Sequence, residues 1–273
     1  RYSGGEFETF TQFNSGLAND LVYSVICDGK DVWCATGGGA SHFDIYSEEW
    51  EIYTERNAPM HEPWTYNVCA GDNKIFIAAW GGGVIEYKKE TKTFRDYVDP
   101  DGEMEIDLYR DDGVVHVITT SVSYVDKILW VSSYFGCCRY DGRHWRGYAK
   151  QEGGLPSDFN NNLKARSAAE AWYCSDKGLG EIADGPGDTW VVYTRDPGKN
   201  TGRATVTQGG KVVEVVDTGL NVPQNFIINA DIDGNDVWIA TAKGLAWGIG
   251  EGYYPGVKER PLQAFGPPPG EVK

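Results

Sequence analysis

The chain of 273 residues lacks the sequence features of several protein classes. It has no apolar run of about 18 residues, so no helix is predicted to span a membrane. It has no CxxC or CxxCH spacing, which argues against zinc ribbons, thioredoxin-type redox motifs and c-type haem attachment. It also lacks a GxSxG motif, a P-loop and a helix-opening GxGxxG. The few histidines show no HxH or HExxH spacing: His42, His61, His116 and His144. We therefore expect no cofactor and no metal site.

Positive charge is also scarce. The chain has 25 Lys and Arg against 40 Asp and Glu, which gives a formal net charge of −15. Such an acidic surface repels phosphate groups, so the composition argues against nucleic-acid binding and against binding to a membrane surface. The sequence begins at Arg1 without an initiator Met and without a visible signal peptide, and we expect a chain that was processed or excised.

The chain is rich in glycine and aromatic residues, with 35 Gly, 10 Trp and 16 Tyr. This composition predicts short strands joined by tight turns. The stretch DVWCATGGGA begins at Asp31, and DVWIATAKGL begins at Asp236. Weaker copies of the phrase lie between them, and each copy is anchored by an aromatic residue: Trp33, Phe76, Trp130, Trp172 and Trp238.

These anchors are separated by 43, 54, 42 and 66 residues. Two gaps match the period of about 40–45 residues that is typical of propeller blades. The two longer gaps contain candidate hairpins at residues 104–119 and 204–216, which we interpret as insertions. Each of the first four units has four successive strand patterns, which we call A to D from the centre of the ring outwards, and the fifth unit has the first three. The sequence thus predicts an all-β fold, a propeller of five four-stranded blades, with six blades as the alternative.

The fifth unit lacks a strand D, whereas residues 5–13 (GEFETFTQF) look like a strand D without a preceding A, B or C. We therefore predict that this N-terminal strand completes the last blade and closes the ring. Residues 1–256 would form the single propeller domain, followed by a Pro-rich tail at residues 257–273.

Six cysteines are present, and most lie in strand-like runs. If the protein is exported, we expect at least one disulfide. The adjacent Cys137 and Cys138 point to opposite faces of a strand, so we expect that only one of them faces a core.

The loops carry a second pattern. GLANDLVYSVICDGKDVWCATGGGASHFD in the first unit resembles the two-component regulator propeller repeat, and so do GLPSDFNNNLKARS in the fourth and NVPQNFIINADIDGNDVWIATAKGL in the fifth. The resemblance is weaker in the second and third units. It implies a periplasmic or extracellular propeller, because the repeat builds the sensor regions of membrane-bound kinases. It also implies a binding or scaffolding role.

We therefore expect a non-enzymatic, exported propeller that binds a protein partner or a small ligand such as a sugar or peptide. The expected ligand-binding residues lie in the loops before each strand A, at the mouth of the channel: Asn19, Asp20, His61, Trp64, Tyr66, Phe159, Asn160, Gln224 and Asn225.

Two alternatives remain open at this stage. One is a structural subunit docked to a larger extracellular assembly, possibly a redox one; the other is a propeller lyase or glycosidase. A locally basic, aromatic stretch predicts a separate partner patch: Arg139, Arg143, His144, Trp145 and Arg146.

Overall fold

The computed structural model describes residues 1–99, 113–150, 154–183, 189–199, 201–219, 222–234 and 236–249. The predicted tail at residues 257–273 and most of the predicted hairpin at residues 104–119 lie outside these ranges. The described residues form antiparallel sheets, and they contain no helix that is long and apolar enough to cross a membrane.

The first three blades each contain four antiparallel strands. Blade 1 is β3 (Val22–Asp28), β4 (Asp31–Thr36), β5 (Gly39–Asp44) and β6 (Glu49–Tyr53). Blade 2 is β7 (Thr65–Gly71), β8 (Lys74–Ala79), β9 (Gly83–Lys88) and β10 (Thr93–Tyr97). Blade 3 is β11 (Thr119–Val125), β12 (Ile128–Ser133), β13 (Cys137–Tyr140) and β14 (Trp145–Tyr148).

The last two blades differ at their outer edges. Blade 4 is β15 (Asn160–Ala165), β16 (Glu170–Ser175), β17 (Gly178–Ala183) and β18 (Thr189–Arg195). The hairpin of β19 (Gly202–Gln208) and β20 (Lys211–Gly219) extends it to six strands. Blade 5 is β21 (Ile227–Asp233), β22 (Asp236–Thr241) and β23 (Gly244–Ile249). The prediction of a five-bladed propeller is confirmed, and the hairpin at residues 204–216 belongs to blade 4 rather than to a sixth blade.

The blades follow one another in a ring, and their inner strands contact each other in the order β3, β7, β11, β15, β21. Each pair of consecutive blades encloses one hydrophobic core. The anchoring aromatics Trp33, Phe76, Trp130 and Trp172 are each in a different one of these cores and are almost fully buried. The repeat is therefore a packing device, since a blade buries its faces only against its neighbours.

The expectation that only one of Cys137 and Cys138 faces a core is wrong. Cys137 lies in the core between blades 3 and 4, and Cys138 lies in the core between blades 2 and 3. A blade in the middle of a propeller is covered on both faces, so adjacent residues on its strands can both be buried. All six cysteines are free thiols, and the expected disulfide is not formed.

The predicted closure by the N-terminal strand is also wrong in its pairing. Short strands β1 (Tyr2–Ser3) and β2 (Glu6–Phe7) pair with each other, and the one described partner of β23 is β22. The ring of Phe10 instead packs 5.8 Å from Phe43 and 5.7 Å from Trp50, on the outer part of blade 1. The segment reaches the first blade but does not pair with the described strands of the last.

Candidate functional site

The mouth of the channel is lined by one apolar residue from each blade. This residue directly precedes the inner strand, at the end of the ring where strands B and C are also joined. The five residues are Leu21, Trp64, Ile118, Phe159 and Phe226. All but Ile118, which is half-buried, are substantially exposed. Apolar side chains gathered at one exposed end of a rigid ring are typical of an interaction surface.

A β-bulge recurs at the second residue of every inner strand. The pairing register shifts at Tyr23, Tyr66, Thr120, Asn161 and Ile228. A bulge bends the strand and re-aims the extra side chain. In blades 1 and 2 the bulged residues are tyrosines, and both contact the apolar residues at the mouth.

Six aromatic rings consequently form a continuous surface across blades 1 to 4, which we call the aromatic belt: Tyr23, Trp64, Tyr66, Trp80, Tyr134 and Phe159. The ring of Tyr66 lies 5.3 Å from Tyr23 and 5.9 Å from Trp80. The ring of Tyr134 lies 5.5 Å from Trp80 and 4.4 Å from Phe159. These distances are those of favourable aromatic pairs, so the belt is held together by its own contacts.

Hydrogen bonds fix the belt further. Trp64 Nε1 donates to the hydroxyl of Tyr23 at 3.0 Å, which joins blades 1 and 2 at the mouth. Burial raises the pKa of the Tyr66 hydroxyl, so this side chain stays neutral at physiological pH. Trp64 and Phe159 are nevertheless each 41% exposed. The belt thus offers a neutral aromatic surface to a ligand in solution.

Three of the predicted mouth residues, Trp64, Tyr66 and Phe159, are therefore brought together. Three belt members were not predicted: Tyr23, Trp80 and Tyr134. Tyr23 lies in strand A, and Trp80 and Tyr134 directly follow strand B. One aromatic residue at a fixed place in successive repeats was the available signal.

The other predicted mouth residues have local structural roles or lie apart from the belt. Asn19 Oδ1 accepts a hydrogen bond from Leu21 N at 2.8 Å, and Asp20 Oδ1 accepts one from Gln12 N at 2.7 Å. His61 is exposed in the loop before β7. Asn160 is fully buried, and neither atom of its amide has a hydrogen-bond partner in the described structure.

Gln224 and Asn225 line a separate open cavity of about 690 Å³ at the mouth of blades 4 and 5. Asn225 accepts from Arg195 N at 2.7 Å and donates to Arg195 O at 2.9 Å, which locks the two loops together. Lys199 and Lys243 also line this cavity and make no ion pair within the described ranges.

The channel below the mouth is polar. A cavity of about 220 Å³ is lined by side chains from all five inner strands, among them Ser24, Asn67, Ser121, Asn162 and Lys164. Among its described lining residues, Asp231 is the single carboxylate, and it lies 2.8 Å from Lys164 Nζ. Burial opposes ionisation of Asp231, but the hydrogen bonds from Lys164 and the backbone of Ile232, together with the positive charge of Lys164, outweigh it and lower the pKa. One ionised, paired carboxylate does not provide the two carboxyl groups that glycoside hydrolysis uses.

A second group of titratable side chains lies at the end of the ring opposite the mouth, in a cleft of about 450 Å³ between blades 1 and 2. His42 Nε2 lies 2.8 Å from Asp31 Oδ1, and His42 Nδ1 lies 3.4 Å from Glu51 Oε2. Lys89 of blade 2 donates to Asp31 and Asp28 of blade 1. The ion pairs of Lys89 with these carboxylates cross the interface, so the cluster ties the two blades together.

The predicted partner patch is not one surface. Trp145 is buried, and its ring packs 5.5 Å from Tyr97 in the core between blades 2 and 3, so its assignment to an exposed patch is wrong. Both faces of an outer strand are covered here, and the side chains do not alternate between core and solvent. Arg139 and Arg146 are half-buried, with guanidinium groups 5.9 Å and 5.0 Å from the rings of Trp130 and Tyr148. Arg143 and His144 are exposed in the turn between β13 and β14.

No family profile and no curated protein sequence matches the chain. Solved structures do resemble it. The extracellular domain of BT3049, described as a hybrid two component system from B. thetaiotaomicron, is 16% identical with a TM-score of 0.54. The match covers 88% of this chain but 41% of that one. XC5397, a gluconolactonase from Xanthomonas campestris, is 11% identical with a TM-score of 0.51, over 84% of this chain and 72% of that one.

At such identities the likeness concerns the fold. The chain spans about two-fifths of the length of the BT3049 domain, at 41%. The sequence resemblance to the two-component regulator propeller repeat is confirmed at the level of the fold. The chain is a five-bladed β-propeller, and its fold resembles that of the extracellular domain of a hybrid two component system.

Proposed function

We propose that this chain is a non-enzymatic binding propeller of the extracellular space or periplasm, and that it captures a protein partner through the aromatic belt. The observation that carries the proposal is the continuity of the belt: six rings from four blades, spaced between 4.4 Å and 6.5 Å, at the open end of the channel. Aromatic side chains of this kind supply most of the binding energy at protein interfaces.

The composition of the mouth favours a peptide segment with apolar side chains over a sugar. A sugar site combines flat aromatic surfaces with several polar groups that bind the hydroxyls. Here the aromatic rings are flanked by the aliphatic Leu21 and Ile118, and Asn160 and Asn225 direct their amides inwards or to the backbone. Apolar anchors from a partner protein suit such a surface better.

A library of displayed peptides, screened in parallel with an array of oligosaccharides, tests this proposal. We expect the wild-type protein to select peptides with aromatic or large aliphatic anchors. Trp64→Ala should weaken their binding at least about 10-fold, which corresponds to about 1.4 kcal/mol. Tyr46→Ala is the matched control, because Tyr46 is an exposed aromatic residue in the turn between β5 and β6, away from the mouth.

If the protein selected oligosaccharides and no peptides, the proposed protein partner would be wrong. Peptide binding that is equally strong in Trp64→Ala and in the wild type would contradict the role of the belt.

A docking subunit is a second candidate function, and the hairpin β19–β20 favours it. Strand β20 is the outermost strand of blade 4, and three of its valines are exposed: Val212, Val213 and Val215. An edge strand with exposed apolar side chains can pair with another chain. The assembly would then be an extracellular one, such as a redox assembly, and the hairpin would be its contact.

A further inference from the structure

Four interfaces between consecutive blades have the same construction. In each, the anchoring aromatic of one blade packs in the same core as one apolar residue of the next blade's inner strand. This inner-strand residue occupies an equivalent position in every pairing register: Val25, Val68, Val122, Leu163 and Ala230. Val25 is 55% exposed, whereas the others are between 1% and 4% exposed. Blade 1 therefore has an uncovered apolar face, the receiving face, formed by the exposed Val25 and Cys27 and the half-buried Val32.

Blade 5 is uncovered on the opposite side. Leu245 is 51% exposed, whereas its equivalents Ala40, Val84, Cys137 and Leu179 are at most 1% exposed. The rings of Trp238 and Trp247 lie 6.4 Å apart beside it, and both are half-buried. We call Trp238, Leu245 and Trp247 the donating face. The chain thus exposes one face of each kind, and these are the two halves of the interface that it builds four times internally.

The N-terminal segment contacts blade 1 as the outer strand of blade 1 contacts blade 2. Phe10 contacts Phe43 and Trp50 of blade 1 just as Tyr53 contacts Tyr87 and Phe94 of blade 2, at 5.6 Å and 5.3 Å.

The turn that follows repeats as well. Asn14 Nδ2 donates to Thr9 O at 3.0 Å, and Asn57 Nδ2 donates to Ile52 O at 2.8 Å. Residues 7–14 therefore occupy the place of an outer strand in front of blade 1, without strands A to C beside them. Blade 5 has strands A to C and, among its described residues, no outer strand.

We propose that a second copy of this chain covers both faces. The donating face of one protomer packs on the receiving face of its partner, and β23 lies beside the partner's N-terminal segment. The reverse contact forms the second, identical interface, so the dimer is closed by a two-fold axis. Self-complementarity supports a second copy as the occupant, because each protomer offers one half of each interface, and Val25 and Leu245 of these halves are both more than half exposed. Apolar patches of this kind are seldom left exposed on a monomer.

Gel filtration with light scattering measures the outcome directly. We expect the wild-type protein to have twice the monomer mass of 30.2 kDa. Val25→Arg and Leu245→Arg each place a charge in both interfaces, so each should reduce the mass to that of the monomer. Val213→Arg is the matched control, since Val213 is 52% exposed but lies on β20, and it should remain dimeric.

A mixture of the two variants distinguishes this dimer from a monomer in which each chain covers its own two faces. One Val25→Arg protomer and one Leu245→Arg protomer still share one unaltered interface, so their mixture should recover mass towards the dimer. No such recovery is possible if each chain covers its own faces. The exposed thiol of Cys27 gives a second readout that needs no variant. Dimerisation should protect this thiol from alkylation at high protein concentration, and the protection should be lost when the protein is diluted. A monomeric wild type at every concentration tested, or a mixture that stays monomeric while both variants are folded by circular dichroism, would overturn the proposal.

Discussion

The rings of Tyr134 and Phe159 lie 4.4 Å apart and join blades 3 and 4 at the mouth of the channel. Tyr134 follows strand β12 and Phe159 precedes strand β15, so the contact forms only once the two blades are packed. The belt therefore forms only when the blades pack, and its contacts in turn help to hold the blades together.

This contact predicts a measurable coupling between the two residues. In a double-mutant cycle, Tyr134→Ala and Phe159→Ala should show an interaction free energy of about 0.5–1.5 kcal/mol in urea unfolding. The matched cycle of Tyr134→Ala with Tyr46→Ala should be additive within about 0.5 kcal/mol, since these residues lie at opposite ends of the ring. Additivity in the first cycle would show that the two rings do not stabilise each other.

Two tryptophans test the distinction between core and mouth. Trp130 is fully buried between blades 3 and 4, and Trp130→Ala should lower the free energy of unfolding by about 3–5 kcal/mol. Trp64 remains 41% exposed, so Trp64→Ala should cost less than about 1.5 kcal/mol. Urea unfolding of both variants gives the comparison, and equal losses would contradict the position of Trp64 at an accessible surface.

The fold could be predicted from the sequence because each repeat keeps one aromatic anchor, and Trp33 and Trp238 lie in decapeptides that are identical at six of ten positions. The candidate site was harder to predict from the sequence. The β-bulges that turn Tyr23 and Tyr66 towards the mouth depend on pairing with the next strand, which an alternating pattern does not reveal. The predictions for Trp145 and Cys138 were wrong for one common reason: blade 3 is covered on both sides by its neighbours, so alternation along its strands does not separate core from surface.

The free thiols predict a definite alkylation pattern. In denaturant without reductant, all six cysteines should react, because none is in a disulfide. In the native protein, Cys34, Cys137, Cys138 and Cys174 should stay unmodified because they are buried, and burial also raises the pKa of Cys138 to about 12 and so suppresses its thiolate. Mass spectrometry counts the added groups. Fewer than six in denaturant would reveal a disulfide, and would restore the expectation made for an exported protein.

The cluster around His42 predicts how stability depends on pH. Burial opposes ionisation of Asp31, but hydrogen bonds from His42 and Lys89 outweigh it, and the pKa of Asp31 is lowered. Its contribution is therefore present above the unfolded-state pKa of about 3.9, and is lost as the pH falls through the lower folded-state value. Asp31→Asn should cost about 1.5–3 kcal/mol at neutral pH and progressively less in acid.

Urea unfolding at a series of pH values measures this difference. Glu55→Gln is the control, since Glu55 is exposed and should leave the pH profile of stability unchanged. A loss in Asp31→Asn that is constant from neutral to strongly acid pH would mean that the carboxylate charge is not what ties blades 1 and 2 together.

The hairpin β19–β20 has one structural side and one accessible side, and the two should respond differently to charge. Val206 is fully buried in the core between blades 4 and 5, together with Ile239 of the next blade. Val206→Lys leaves an unpaired charge in that core and should lower the melting temperature strongly or prevent folding. Val213 is 52% exposed, so Val213→Lys should change the free energy of unfolding by no more than about 0.5 kcal/mol.

Co-purification from the native source with each folded variant then tests docking. A partner that is lost only in Val213→Lys supports a contact through the hairpin. A partner that is retained in Val213→Lys but lost in Trp64→Ala assigns binding to the mouth.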